Sequence, residues 1–275
     1  MILSLCTKVT AGHSLDESIA LAARYGCGAI EIFGLPEHLP PDVSPEEVVR
    51  LALLLRDLGL SVSCLATYIG PYADADEATM GRFLADLRRY CMFADLLGCR
   101  LIRQIPALGA PDRLTDEQWR RAARGLALAA DVAAEYDKRI VLETHDGQIT
   151  EKPWATLRLI EMAGRNTVGV TFDPGNHVAC PEDYGLEAIA AYGGLIWNVH
   201  VKDTARQDRA RLFGEGEVDY RVVWEGLAAA GYDGPLGIET LVQPGPDLSL
   251  DEIVAHETAA IRASLAASPL ADRLN

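Results

Sequence analysis

The sequence predicts an α/β fold, a single-domain (β/α)8 barrel of parallel strands with outer helices. Three observations lead to this prediction. Strand-like and helix-like patterns alternate along the whole chain. No linker, low-complexity tract or composition shift divides residues 1–275. The longest loops each follow a predicted strand, where barrels of this kind build their sites, and such barrels reach about 250 residues as one domain.

Short β-branched and aliphatic runs mark the strands, and amphipathic stretches between them mark the helices. The strands are expected near 2–6, 28–33, 60–66, 100–105, 139–144, 168–173, 195–202 and 235–240. The helices are expected near 15–25, 45–58, 77–97, 116–136, 154–163, 183–191, 220–230 and 250–266. Capping boxes mark four helix starts, at Ser14/Glu17, Ser44/Glu47, Thr115/Gln118 and Ser249/Glu252.

A doubly wound open sheet would show the same alternation of strands and helices. Its nucleotide-binding versions carry G-x-G-x-x-G after an early strand or a G-x-x-x-x-G-K-S/T loop, and neither occurs here. Gly214-Glu215-Gly216 is a lone G-x-G that we interpret as a turn. The closed barrel is therefore favoured.

Composition narrows the function classes. The formal net charge is −15, with 40 acidic against 25 basic residues, which opposes binding to nucleic acid or to an anionic membrane. The six cysteines include no C-x-x-C pair, so we expect reduced thiols. The first residues resemble neither a signal peptide nor a membrane span. We expect a cytoplasmic protein that acts on a small molecule and is compatible with a homo-oligomer.

The run Arg139–His145 predicts a buried strand that ends in a carboxylate and an imidazole. Strand alternation places Val141, Glu143 and His145 on one side. A carboxylate directed into an apolar interior needs a partner, and a cation is an economical one. Glu143 is therefore a candidate metal ligand.

The last four strands each end in a group that can bind a divalent cation, in the order Glu143, Asp173, His200 and Glu239. In a barrel these strand ends meet on one face. Three carboxylates and one imidazole form an oxygen-rich set that suits Mn²⁺ or Mg²⁺ better than zinc. We predict one divalent cation with manganese as the first choice, and with Mg²⁺ or Co²⁺ as alternatives.

Further polar residues lie near these strand ends. Lys202 shares a strand face with His200 and is expected to point into the site, the alternative being a salt bridge to Asp203 or another carboxylate. His177 either supports the site from behind or lies in a surface loop. Glu31 is expected to serve barrel packing or an inner hydrogen bond.

Five motifs are concentrated between residues 139 and 240. They are Leu142–Gly147 (LETHDG), Phe172–Asn176 (FDPGN), Val199–Asp203 (VHVKD), Gly214–Asp219 (GEGEVD) and Gly231–Glu239 (GYDGPLGIE). Together they resemble the sugar phosphate isomerase/epimerase family of xylose isomerase-like TIM barrels, and the resemblance extends over nearly the whole chain. It implies a divalent metal on the four ligands and small polyhydroxylated carbonyl substrates.

Within this superfamily, ketose 3-epimerases place a sugar-binding arginine six residues after the metal-binding histidine, and Arg206 has that spacing. They also carry a histidine three residues after the strand-six aspartate. This chain has Asn176 there and His177 one residue later. By this resemblance Asn176, His177 and Arg206 are candidate substrate-binding residues.

The Glu143-Thr144-His145 triplet with His200-Val201-Lys202 is also similar to 3-dehydroshikimate dehydratases. That resemblance implies that His145 abstracts a proton and that Lys202 assists, with Tyr68 and Arg103 as substrate contacts. Endonuclease-four-type DNA repair enzymes share the barrel but need histidines at strands three and four, which this chain lacks.

The expected function is that of a metal-dependent sugar isomerase or epimerase in carbohydrate metabolism. Glu143 and Glu239 would exchange an α-proton on opposite faces of a metal-bound enediolate. The alternative is a dehydratase, a lyase of the 3-dehydroshikimate or inosose type, in which His145 removes the proton and Lys202 assists loss of a β-hydroxyl. A barrel that has lost turnover is a third option, against which the intact ligand set argues.

Overall fold

The computed structural model describes residues 1–274 and shows a closed barrel of parallel strands in chain order. The strands are β1 (Ile2–Cys6), β2 (Ala29–Phe33), β3 (Ser61–Ala66), β4 (Leu101–Gln104), β5 (Arg139–Glu143), β6 (Val168–Phe172), β7 (Ile196–Val201) and β8 (Pro235–Ile238). The helices are α1 (Leu15–Arg24), α2 (Pro45–Asp57), α3 (Glu77–Leu96), α4 (Asp116–Ala134), α5 (Pro153–Ala163), α6 (Leu186–Tyr192), α7 (Tyr220–Ala229) and α8 (Leu250–Ala266). β8 closes the barrel against β1, for example at Ile2 and Pro235. The predicted (β/α)8 barrel is confirmed.

The element boundaries lie close to those expected from the sequence. The largest difference is at α6, which begins at Leu186 rather than near 183, because Pro181–Asp183 form a short 3-10 turn and Gly185 occupies the N-cap. Within residues 1–274, no helix has the length and apolar character needed to cross a membrane.

Three of the four predicted capping boxes are complete, those that begin at Ser14, Thr115 and Ser249. Ser44 accepts a hydrogen bond from the Glu47 backbone N–H at 3.2 Å. The carboxylate of Glu47 instead binds Arg50, with its Oε1 2.7 Å from Arg50 Nη2. The fourth box is therefore only half formed, because an ion pair competes for the carboxylate that would close it.

The barrel has an apolar layer between its strands and helices and a polar interior. Outward-facing aliphatic side chains of the strands, such as Leu5, Ile140 and Val199, are buried against the helices. The interior contains polar groups that are fully buried, among them Glu31 and Asn198. Buried polar groups need hydrogen-bond partners, so the barrel interior is a network rather than an apolar plug.

The loop between β7 and α7 (residues 202–219) is held at two points on the carboxyl face of the barrel. The Asp203 carboxylate accepts hydrogen bonds from the N–H groups of Gly214 at 2.9 Å and Gly216 at 3.0 Å. The lone G-x-G is thus a turn, as predicted. On the other side, Glu257 of α8 accepts from the Phe213 N–H at 3.1 Å.

Glu257 should make stability depend on pH. Burial raises its pKa to about 8, with Asp203 and Glu215 adding to the effect. The folded protein therefore favours the protonated acid, and the stabilisation is lost as pH rises from the ordinary pKa of glutamate through 8. We expect the wild type to lose up to about 4 kcal/mol more unfolding free energy than Glu257→Gln between pH 5 and 9, since a tenfold change in an ionisation equilibrium corresponds to about 1.4 kcal/mol.

Urea unfolding at several pH values measures this difference. Glu161→Gln, at an exposed position of α5, is the matched control and should follow the wild type. Parallel pH profiles for the wild type and Glu257→Gln would contradict the assignment.

Candidate metal centre and catalytic cavity

Four side chains converge at the carboxyl ends of β5 to β8. Glu143, Asp173, His200 and Glu239 are buried, and each offers a ligand atom within 4.8 Å of the others. His200 Nδ1 lies 3.0 Å from Glu239 Oε2. It lies 3.6 Å from both Glu143 Oε1 and Asp173 Oδ2, and it has no hydrogen-bond partner among the described residues. A buried nitrogen without a partner, facing three carboxylates, fits a divalent cation.

The orientation of His200 comes from the opposite side of its ring. His200 Nε2 donates to Glu31 Oε1 at 3.0 Å, and Asn198 Nδ2 donates to Glu31 Oε2 at 3.0 Å. Glu31 therefore makes the inner hydrogen bond that the sequence predicted. A carboxylate behind a ligating histidine fixes its tautomer and leaves the other nitrogen for the metal.

Glu31 and His200 pack against Gly237 of β8, where any side chain would crowd them. A Cβ at Gly237 would lie 2.9 Å from Cys6 Sγ and 3.1 Å from Glu31 Oε2. The absence of a side chain at this position of β8 therefore lets the histidine and its supporting carboxylate fill the centre of the barrel.

Two buried cations neutralise part of the carboxylate charge. Arg103 Nη2 lies 2.6 Å from Glu143 Oε2, and Lys202 Nζ lies 2.6 Å from Asp173 Oδ2. Burial by itself would raise the pKa of Glu143, but Arg103 and His200 outweigh it and hold that pKa well below the usual range. Burial likewise opposes the charge of Lys202, yet Asp173 and Glu239 raise its pKa. Three carboxylates against two cations leave negative charge for a bound metal.

Asn176 links these groups. Its Nδ2 donates to Asp173 Oδ2 at 2.9 Å and to Glu143 Oε1 at 3.1 Å. Its Oδ1 accepts from Lys202 Nζ at 3.0 Å. The structure thus places Asn176 among the ligands, where it positions the carboxylates, and its contact with substrate stays a prediction.

A cavity of about 330 Å³ opens at this face. Its walls include the proposed catalytic and substrate-binding residues Tyr68, Arg103, Glu143, His145, Asn176, Lys202 and Glu239, together with Lys8, Phe33, Arg209 and Leu241. Tyr68 is 42% exposed and lies against the guanidinium of Arg103, whose Cζ is 5.5 Å from the tyrosine ring centre. The sequence thus identified most of the wall.

His145 lines this cavity from the end of β5. Its Nδ1 donates to the backbone carbonyl of Asp146 at 2.6 Å. This hydrogen bond fixes the tautomer in which Nε2 carries a lone pair. The side chain is one third exposed, so the ring reaches solvent as well as the cavity.

Two predicted substrate contacts lie outside the catalytic cavity. His177 is buried, and burial lowers its pKa so that the ring is neutral. Arg206 is exposed and lies 3.6 Å from Glu217. Both line a neighbouring cavity instead.

The arginine that reaches the catalytic cavity is Arg209, which the sequence did not single out. Arg209 Nη1 donates to Asp146 Oδ2 at 2.7 Å, and its Nη2 donates to Asn176 Oδ1 at 3.0 Å. The only signal in the sequence was the abundance of arginine in the loop. Which of the three arginines turns inward depends on the fold of that loop.

The chain is similar to known proteins named for each of the two activities that the motifs suggested, dehydration and epimerisation. The chain is 29% identical over 148 residues to an inosose dehydratase of Lacticaseibacillus casei, a match of 47% of this chain and about half (49%) of that protein. It is 26% identical over 254 residues to an L-ribulose-5-phosphate 3-epimerase of Shigella sonnei, covering 90% of this chain and 89% of the relative.

Among solved structures, the IOLI protein with a binding zinc atom has a TM-score of 0.82 at 17% identity, over 97% of this chain and 99% of that one. At this identity the likeness concerns the fold. Residues 19–265 match the model of the family described as xylose isomerase-like TIM barrel. This protein therefore belongs to the xylose isomerase-like TIM barrel family.

Proposed function

We propose that this protein is a divalent-metal-dependent dehydratase that removes the proton next to the carbonyl group of a small polyhydroxylated compound and then releases water. The observation that carries the proposal is the hydrogen bond from His145 Nδ1 to the carbonyl of Asp146, which leaves Nε2 as an available base in the catalytic cavity. A general base needs both this geometry and access to the proton it removes.

Glu143, Asp173, His200 and Glu239 would hold the cation. When bound, the cation acts as a Lewis acid toward the substrate carbonyl, a stabilisation worth several kcal/mol. The oxygen-rich ligand set favours Mn²⁺, with Mg²⁺ and Co²⁺ as alternatives. The zinc atom of the IOLI protein, which shares the fold, makes zinc a further ion to test.

The two candidate bases, Glu143 and His145, differ in the partners of their side chains. Both oxygens of Glu143 have partners: Oε2 lies 2.6 Å from Arg103 Nη2 in an ion pair, and Oε1 accepts a hydrogen bond from Asn176 Nδ2 at 3.1 Å. The ion pair with Arg103 and the place of Glu143 among the proposed metal ligands both oppose proton uptake by its carboxylate. His145 Nε2 has no hydrogen-bond partner within residues 1–274, and we assign it the removal of the α-proton.

Lys202 is the acid in this scheme. Its ammonium group is buried among Asp173, Asn176 and Glu239, and it borders the cavity. As the C–H electron pair forms the new C=C bond, the β-C–O bond breaks and the leaving hydroxyl takes a proton from Lys202 to depart as water. His145 returns its proton to solvent through its exposed edge, and Lys202 is reprotonated, so the enzyme is restored.

Epimerisation is the second candidate, because Glu143 and Glu239 both border the cavity from different strands. One carboxylate would remove the proton and the other would return one to the opposite face. The match to the Shigella sonnei epimerase over 90% of this chain supports keeping this candidate. Both reactions begin with removal of the α-proton, so the base that removes it and the fate of the β-hydroxyl separate them.

The metal site can be tested without a substrate. Glu31→Gln should weaken Mn²⁺ binding by about 10- to 100-fold, because the amide does not hold His200 in the ligating tautomer as the carboxylate does. Titration calorimetry on the full chain measures the dissociation constant. Glu161→Gln is the exposed control. If the wild type binds no divalent cation, the metal proposal is wrong, and if Glu31→Gln binds as tightly as the wild type, the role of Glu31 is wrong.

The reaction can be tested by mass. We expect the Mn²⁺-loaded protein to convert a compound from a panel of inososes, 3-dehydroshikimate and ketoses into a product that has lost the mass of water. His145→Ala should lower kcat by about 10²- to 10⁴-fold while Mn²⁺ binding is retained, because a general base contributes a factor of this size. A product of unchanged mass, formed equally well by His145→Ala, would instead support the epimerase.

A further inference from the structure

A second cavity of about 420 Å³ lies beside the catalytic cavity on the same face of the barrel. Its walls come from the loops that follow β5, β6 and β7, and they include Lys152, His177 and Ala179. Asn176 and Arg209 line both cavities. No step proposed for the reaction uses the second cavity.

Arg209, which lines both cavities, forms an ion pair with Asp146, which lines the second cavity. Arg209 Nη1 lies 2.7 Å from Asp146 Oδ2, and the two side chains are 41% and 42% exposed. Partly solvated pairs of this kind contribute little to stability, so a bound molecule can exchange contacts with them at small cost. Asp146 directly follows His145, which places this ion pair next to the proposed base.

The charges around the second cavity balance. It is lined by three cationic side chains and three carboxylates: Lys152, Arg206, Arg209, Asp146, Glu151 and Asp183. Lys152 Nζ lies 2.6 Å from Asp183 Oδ2, so a second of these cations is already paired. A phosphate would meet as many carboxylates as cations. Hydroxyl groups both donate and accept hydrogen bonds, and they suit this mixture better.

We propose that the second cavity binds the part of the substrate remote from the reacting carbonyl, and that this part is an uncharged hydroxylated group of about the size of one sugar unit. The inference rests on the function proposed for the catalytic cavity. It specifies the substrate class as glycosylated polyhydroxy ketones, in place of free monosaccharides or sugar phosphates. The neutral ring of His177 forms part of the wall that this group contacts.

Binding to the Mn²⁺-loaded full chain tests the inference. The three probes are D-fructose, lactulose and D-fructose 6-phosphate. In lactulose a galactosyl unit is attached to fructose. Two or more additional hydrogen bonds should make lactulose bind at least about tenfold more tightly than D-fructose. Ala179→Trp, at an exposed position that lines only the second cavity, should remove this advantage. Ala271→Trp, at an exposed position in the turn after α8, is the matched control and should keep it.

Three outcomes would overturn the inference. The first is a lactulose dissociation constant no lower than that of D-fructose, and the second is an advantage that survives in Ala179→Trp. The third is that D-fructose 6-phosphate binds more tightly than the other two probes and that Ala179→Trp abolishes this preference. That result would make the second cavity an anion site. These are binding measurements, so they do not depend on whether the product loses water. A failure of the dehydratase proposal would appear in the mass assay alone.

Discussion

The burial of three carboxylates around one imidazole is the constraint on which this structure depends. Charges removed from water cost several kcal/mol each unless they are paired or ligate a metal. The chain meets this cost with Arg103 against Glu143 and Lys202 against Asp173. Asn176 fills the remaining hydrogen-bonding positions between them. Among residues 1–274 the arrangement leaves His200 Nδ1 without a hydrogen-bond partner, and a nitrogen so placed beside three carboxylates fits a divalent cation.

The same constraint shapes the barrel interior. His200 presents Nδ1 to the carboxylates because Glu31 holds Nε2. Glu31 in turn needs Asn198 for its second oxygen, and the pair needs the space left by Gly237. The centre of the barrel is therefore polar, while the apolar core lies between strands and helices.

Local hydrogen bonding separates groups that look alike in the sequence. Glu143 and His145 are two residues apart and face the same cavity, yet Arg103 and Asn176 occupy the oxygens of Glu143 while His145 keeps a free nitrogen. The chain is similar to proteins named as dehydratases and as epimerases. In the function proposed for this protein, the neighbours of each candidate base decide which proton transfer is favoured.

The alternation of strands and helices and the four candidate ligands could be predicted from the sequence. The two-residue period of a strand and the common face of parallel strand ends are local rules, and they bring Glu143, Asp173, His200 and Glu239 together whatever the loops do. Glu31 could be read as an inner hydrogen-bonding residue for the same reason.

The tertiary structure decided what the loops contribute. Arg206 and Arg209 lie three residues apart in one arginine-rich loop, and only Arg209 reaches the catalytic cavity. Arg209 is bound there by Asp146 and Asn176, which lie in the loops after β5 and β6. The unfinished capping box at Ser44 has a partly local origin, since Arg50 binds the Glu47 carboxylate from one turn further along the same helix, while Asp16 of α1 binds the same guanidinium. Strand periodicity acts between neighbours in sequence, whereas the direction of a loop side chain depends on partners that only the folded chain brings near.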